Sequence, residues 1–140
     1  MRTRGRANGA EGNERLTGTT AVVLMGLLAV EGVTILFLRR LLPVHVFVGM
    51  LLIPPVALKL GATGYRFMRY YQRRRGYTDK GPPHPLMRFL VAPALVASTV
   101  GVLGTGVAMF AFGRRGMIVG LHKASFVVWA GAFGVHVLVY

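Results

Sequence analysis

The sequence predicts an all-α fold, an integral membrane four-helix up-down bundle, and three observations carry that expectation. Four apolar runs each reach the ~20 residues needed to cross a ~30 Å hydrocarbon core. The composition is 54% hydrophobic with only four Asp and Glu among 140 residues, too little charge to solvate a soluble domain of this size. The 17 Lys and Arg, which set a net charge of +13, flank the apolar runs, where anionic headgroups favour them. Nucleic acid would need those charges along one exposed face, so the bilayer is the expected partner and nucleic acid is not. The length suits one domain. With no cysteine, disulfides, iron–sulfur clusters and thiolate ligands are all excluded, and a bound metal must use histidine, methionine or carboxylate.

Residues 1–16 are polar and rich in Gly and Arg, and read as a flexible basic N-terminal tail. The first helix is expected over about 17–38. Its apolar run is longer than that of a signal peptide and more runs follow, so it is read as retained. Arg39 and Arg40 end it. The second helix is expected over about 42–65, with Pro43 in its first turn and a kink at Pro54-Pro55, whose ring nitrogens cannot donate to the helical ladder. A basic, tyrosine-rich loop follows, in which Arg73, Arg74 and Arg75 suit a membrane-surface anchor. The third helix is expected over about 86–112, ended by Gly113-Arg114-Arg115-Gly116, and the fourth over about 117–140. Eleven basic residues fall on the side of the N-terminal tail and the central loop, against five on the other side. The positive-inside rule therefore places this multi-pass chain in the cell membrane with both termini cytoplasmic.

Ionisable groups inside a membrane are costly, and are the first place to look for function. They are Glu31, His45, Lys59, His122, Lys123 and His136, with His84 in the cytoplasmic loop. His45 is about four residues into the second helix and His122 about six into the fourth. Both helices run inward, so at 1.5 Å per residue the two rings lie at nearly one depth. Two imidazoles at matched depth are what a bis-histidine haem requires, which makes His45 and His122 the expected metal ligands. Gly49, four residues after His45, leaves room on that face for a flat macrocycle. His122, Trp129 and His136 share one stripe, and Ala97, Gly101, Gly104, Ala108 and Ala111 form a small-residue stripe on the third helix. Glu31 is placed either to orient a histidine or to bond a neighbouring helix. Lys59 can snorkel toward the cytoplasmic face.

Histidines fourteen apart on one transmembrane helix resemble the ligand helices of membrane cytochromes b. The segments VHVFVGMLLIPPVALKLGATGYRFMRYY and LHKASFVVWAGAFGVHVLVY are similar to those of small actinobacterial cytochrome b561-like membrane proteins. That resemblance implies haem b and one-electron transfer within the membrane, with a quinone or a redox protein as partner. It also implies a cofactor role for His136. The sequence departs from a di-haem scheme at Lys59, which stands fourteen residues after His45 where a second histidine would be expected. One haem is therefore expected, and a second is left open. As a carrier the protein need not be an enzyme, and association into a homo-oligomer is compatible with the pattern. The alternative is a haem-free accessory or structural membrane protein, in which Glu31 and the histidines are packing polars. A proton or solute pathway ranks lowest, because only one acid lies within the membrane.

Overall fold

A computed structural model describes residues 4–72 and 85–139, with side chains from residue 12 onward except residue 13. The central loop with Arg73, Arg74, Arg75 and Lys80, together with His84 and Tyr140, lies outside the described residues.

The chain is all-α, as expected. Helix α1 spans Arg4–Leu36, α2 Leu38–Tyr71, α3 Ala92–Phe112 and α4 Gly116–Val139, with a π-helical turn at Met87–Val91 leading into α3. All four are long and apolar enough to cross a membrane, over Glu14–Leu36, Leu38–Tyr71, Met87–Phe112 and Gly116–Val139. No strand occurs among the described residues. The protein is thus a multi-pass membrane protein, and large side chains such as Phe47, Phe110 and Leu138 lie exposed where lipid would meet them. The chain divides into two compact units, each a helical hairpin: α1 with α2, and α3 with α4.

In the first hairpin the backbone is helical from Arg4, so the polar stretch expected to form a separate tail continues α1. The turn is tight. Phe37 alone separates the two helices, and the amides of Arg40 and Leu41 both donate to its carbonyl. Arg39 and Arg40 therefore belong to the first turn of α2 rather than to the end of α1. Leu41 leaves helical space at φ −106° and ψ 16°, which restarts the helix one residue before the expected position 42. Pro43, two residues on, costs nothing there because a first-turn amide has no helical acceptor. The kink expected at Pro54-Pro55 is not where α2 departs from helical dihedrals. Both prolines are accommodated within the helix, and the departure lies at Leu41.

In the second hairpin the π-turn has a local cause. The proline ring of Pro93 opposes the carbonyl four residues back and its nitrogen donates nothing. A wider turn, closed by the Ala92 amide on the Met87 carbonyl five residues earlier, takes up that misfit. At the other end Gly113 adopts φ 83° and ψ 168°, a region essentially closed to residues with a Cβ, and turns the chain through Arg114 and Arg115 into α4.

Each helix turns one stripe inward, advancing by alternating steps of three and four residues, and on α4 that stripe is only partly buried. On α1 the stripe is Thr17, Thr20, Leu24, Leu27, Glu31 and Thr34. On α2 it runs from His45 through Val48, Leu52, Pro55, Lys59 and Ala62 to Arg66. On α3 it is Met87, Val91, Ala94, Ser98, Gly101, Thr105 and Ala108, and on α4 Ile118, His122, Ser125, Trp129, Ala132 and His136. A 3.5-residue repeat is the signature of helices that pack along a continuous seam. Thr34 is the most buried residue, at 2% exposure, and Thr20 and Ser98 are also buried. The seams are thus rich in small and polar residues, as expected where lipid supplies no hydrophobic drive for helices to associate.

Candidate functional site

The polar groups of the first seam gather in two places. Toward the turn, Glu31 Oε1 lies 2.9 Å from His45 Nδ1, with the two side chains 13% and 19% exposed. Thr34 completes the group: its hydroxyl is 2.6 Å from the Glu31 carbonyl, 3.2 Å from Glu31 Oε2 and 3.1 Å from His45 Nδ1. The carboxylate of Glu31 is set against a ring nitrogen of a histidine on the next helix, a contact that meets both roles expected of it. At the far end of the seam, Lys59 Nζ donates to the Thr17 carbonyl at 3.3 Å.

The second seam carries a parallel arrangement. The Thr105 hydroxyl is 2.6 Å from the Gly101 carbonyl and 2.9 Å from His122 Nδ1. Beside it, Gly106 faces the same ring: a Cβ added there would meet His122 Cε1 at 3.6 Å, an ordinary contact. A Cβ at Gly101 would fall 2.6 Å from Ser125 Oγ, which makes Gly101 and Ser125 the closest approach recorded at a glycine of this hairpin.

A hydroxyl has one hydrogen to give. Thr34 and Thr105 are each 2.6 Å from a carbonyl of their own helix, which can only accept. With the hydrogen placed there, each oxygen has a lone pair to offer the histidine, and in the tautomer protonated at Nδ1 the ring would donate to it and keep its own lone pair on Nε2.

Other expected site features change. Gly49 does provide space one turn from His45, but the Glu31 carboxylate uses it: a Cβ at Gly49 would be 3.5 Å from Glu31 Oε1. On the small-residue stripe of α3, only Gly101 meets α4 in this way. A Cβ at Gly104 would meet nothing within 4 Å, and Ala97 and Ala111 are exposed. The shared stripe of His122, Trp129 and His136 is present on α4, where Trp129 stacks on Phe133 at 4.8 Å and more distantly on Phe126. His136 lies in the last turn of α4, fourteen residues or ~21 Å beyond His122. Lys123 is exposed. No group of three or more metal-ligating His, Asp or Glu side chains occurs among the described residues.

Sequence reasoning missed Thr34, Thr105, Gly106 and Ser125. A signal for two of them was present. Glu31-Gly32-Val33 precedes Arg39-Arg40 and then His45, while Thr105-Gly106-Val107 precedes Arg114-Arg115 and then His122. The residue before each Gly-Val is the one that contacts the histidine of the following helix. Comparison with family models, with curated proteins and with solved structures returned no match.

Proposed function

We propose that this protein is a membrane b-type cytochrome-like electron carrier in which His45 and His122 would hold one haem b. The observation that carries this reading is the shared setting of the two rings: His45 Nδ1 faces Glu31 and Thr34, and His122 Nδ1 faces Thr105. With Nδ1 protonated, each ring would offer iron the lone pair of Nε2. Ligand histidines are held in this manner in metalloproteins, where a carboxylate, carbonyl or other acceptor on the second nitrogen fixes the ring and raises its basicity. Two imidazoles on apolar helices, in a chain without cysteine, support haem over an iron–thiolate centre.

When bound, haem would supply a one-electron couple. The chain's own contribution would be to hold the imidazoles and keep water from them. A quinone or a redox protein would exchange the electron, and no catalysis is required of the chain. His136 would serve a second cofactor only if a ligand came from outside the described residues. In this reading both termini are cytoplasmic, and both Arg-Arg turns, Arg39-Arg40 and Arg114-Arg115, face outward on the histidine side.

The test is the absorbance spectrum of protein purified from haem-replete cells, before and after dithionite. Sharp α and β bands of a six-coordinate haem on reduction are expected. A colourless preparation would sink the reading and leave a haem-free accessory protein, with the histidine contacts serving only to join helices.

A further inference from the structure

The far end of the first hairpin holds a concentration of positive charge that the histidine site does not use. Lys59 and Arg66 are seven residues apart on the α2 seam, so they share one face, and each is partly buried. Their charges are close enough to act on one another. Arg15 on α1 and Arg69 on α2 add to the same end, where Glu14 is the one acid whose side chain is among the described residues. Arg69 is engaged locally, its Nε donating to the Tyr65 hydroxyl at 2.9 Å and its guanidinium lying 5.0 Å from the centre of that ring. Among the described residues neither Lys59 nor Arg66 has a carboxylate within ion-pair distance. The Thr17 carbonyl takes one Lys59 hydrogen and leaves two to give. A fold that seats two cations on one partly buried seam needs an anion to offset their repulsion.

We propose that Lys59 and Arg66 form a binding site for the phosphate of an anionic phospholipid. The depths suit it. From position 42, where α2 restarts, Lys59 is ~26 Å along the helix, just inside a ~30 Å core, and Arg66 lies ~10 Å further, beyond it. A headgroup phosphate sits between those levels. Tyr65 and Tyr70, at the same end, have the amphipathic rings that favour this interface. The site is independent of haem and of which leaflet it faces.

Native mass spectrometry of the full-length protein, released from micelles containing equal phosphatidylglycerol and phosphatidylcholine, tests the site. Wild type is expected to retain phosphatidylglycerol in preference, and K59Q/R66Q to lose that preference by roughly 25-fold, since each basic residue near an anionic surface contributes about fivefold. The charge-preserving K59R/R66K variant should keep it, which separates loss of charge from loss of fold. Millimolar inorganic phosphate should not displace the lipid. Equal retention of both lipids by wild type, an unchanged preference in K59Q/R66Q, loss of the preference in K59R/R66K, or displacement by free phosphate would each overturn the proposal.

Discussion

Glu31 and His45 sit on different helices, yet their side chains meet at 2.9 Å on the α1–α2 seam, with Thr34 bridging both. A carboxylate and an imidazole at this depth are each expensive to leave unsatisfied in hydrocarbon, so the contact couples the packing of the two helices to the orientation of the ring.

That coupling is measurable. Glu31→Gln, His45→Ala and the double variant form a thermodynamic cycle whose interaction term should be favourable and on the order of 1–2 kcal/mol, the upper range for polar contacts between membrane helices. Reversible unfolding in mixed micelles reports it. Additive effects of the two substitutions would mean that the 2.9 Å contact carries no coupling energy.

The α3–α4 seam makes a prediction about size. Gly101→Val should destabilise the second hairpin by about 1–3 kcal/mol, because even a Cβ would fall 2.6 Å from Ser125 Oγ. Gly104→Ala, three residues along the same helix, meets open space and should be neutral or stabilising by up to about 1 kcal/mol from helix propensity. Thermal unfolding of the two variants should rank them on opposite sides of wild type. The reverse order would contradict the packing described for Gly101.

If haem is bound as proposed, His45→Ala or His122→Ala should each remove an axial ligand, turning a low-spin spectrum high-spin or emptying the site. His136→Ala should leave that spectrum in place, because His136 is ~21 Å along α4 from His122. Loss of the spectrum in His136→Ala but not in His45→Ala would move the ligands to the opposite end of α4.

Topology has a direct assay. A reporter fused after Tyr140 should report the cytoplasm, and one inserted beside Arg115 the exterior, as the eleven-to-five distribution of basic residues requires. The opposite pattern would exchange the two faces and leave the four spans unchanged.

Most of the fold was legible because the bilayer imposes a length that apolar runs either meet or miss. The last turn of α3 and the start of α4 were readable from Gly113-Arg114-Arg115-Gly116, where a glycine able to take positive φ and two basic residues interrupt the apolar run. The two discrepancies in α2 arise where backbone detail outweighs residue type. Pro54 and Pro55 stay inside helical geometry, and the break lies at Leu41, a residue with no turn signal of its own. Within the site, His45, His122 and Glu31 were conspicuous because charge in a membrane is rare. Thr34 and Thr105 were not, since a threonine in a helix most often bonds its own backbone. Both do so here as well, and it is that bond which leaves the oxygen available as an acceptor for the histidine. Gly49 was seen as space, but only side-chain positions on the partner helix could show that the Glu31 carboxylate uses it.

The polar seams bear on how the chain is made as well as on what it does. Alone in lipid, α1 would expose Glu31 and α2 would expose His45 and Lys59, whereas across the hairpin Glu31 meets His45 and Lys59 gives one hydrogen to the Thr17 carbonyl. Neither helix is a good candidate for release into the bilayer by itself. The first helix should therefore wait beside the insertion channel until the second has been synthesised, and the pair should partition together. Site-specific crosslinking of stalled nascent chains would reveal that delay as persistent contact between α1 and the channel, ending once α2 emerges. A Glu31→Leu chain, with its most costly group removed, should depart earlier.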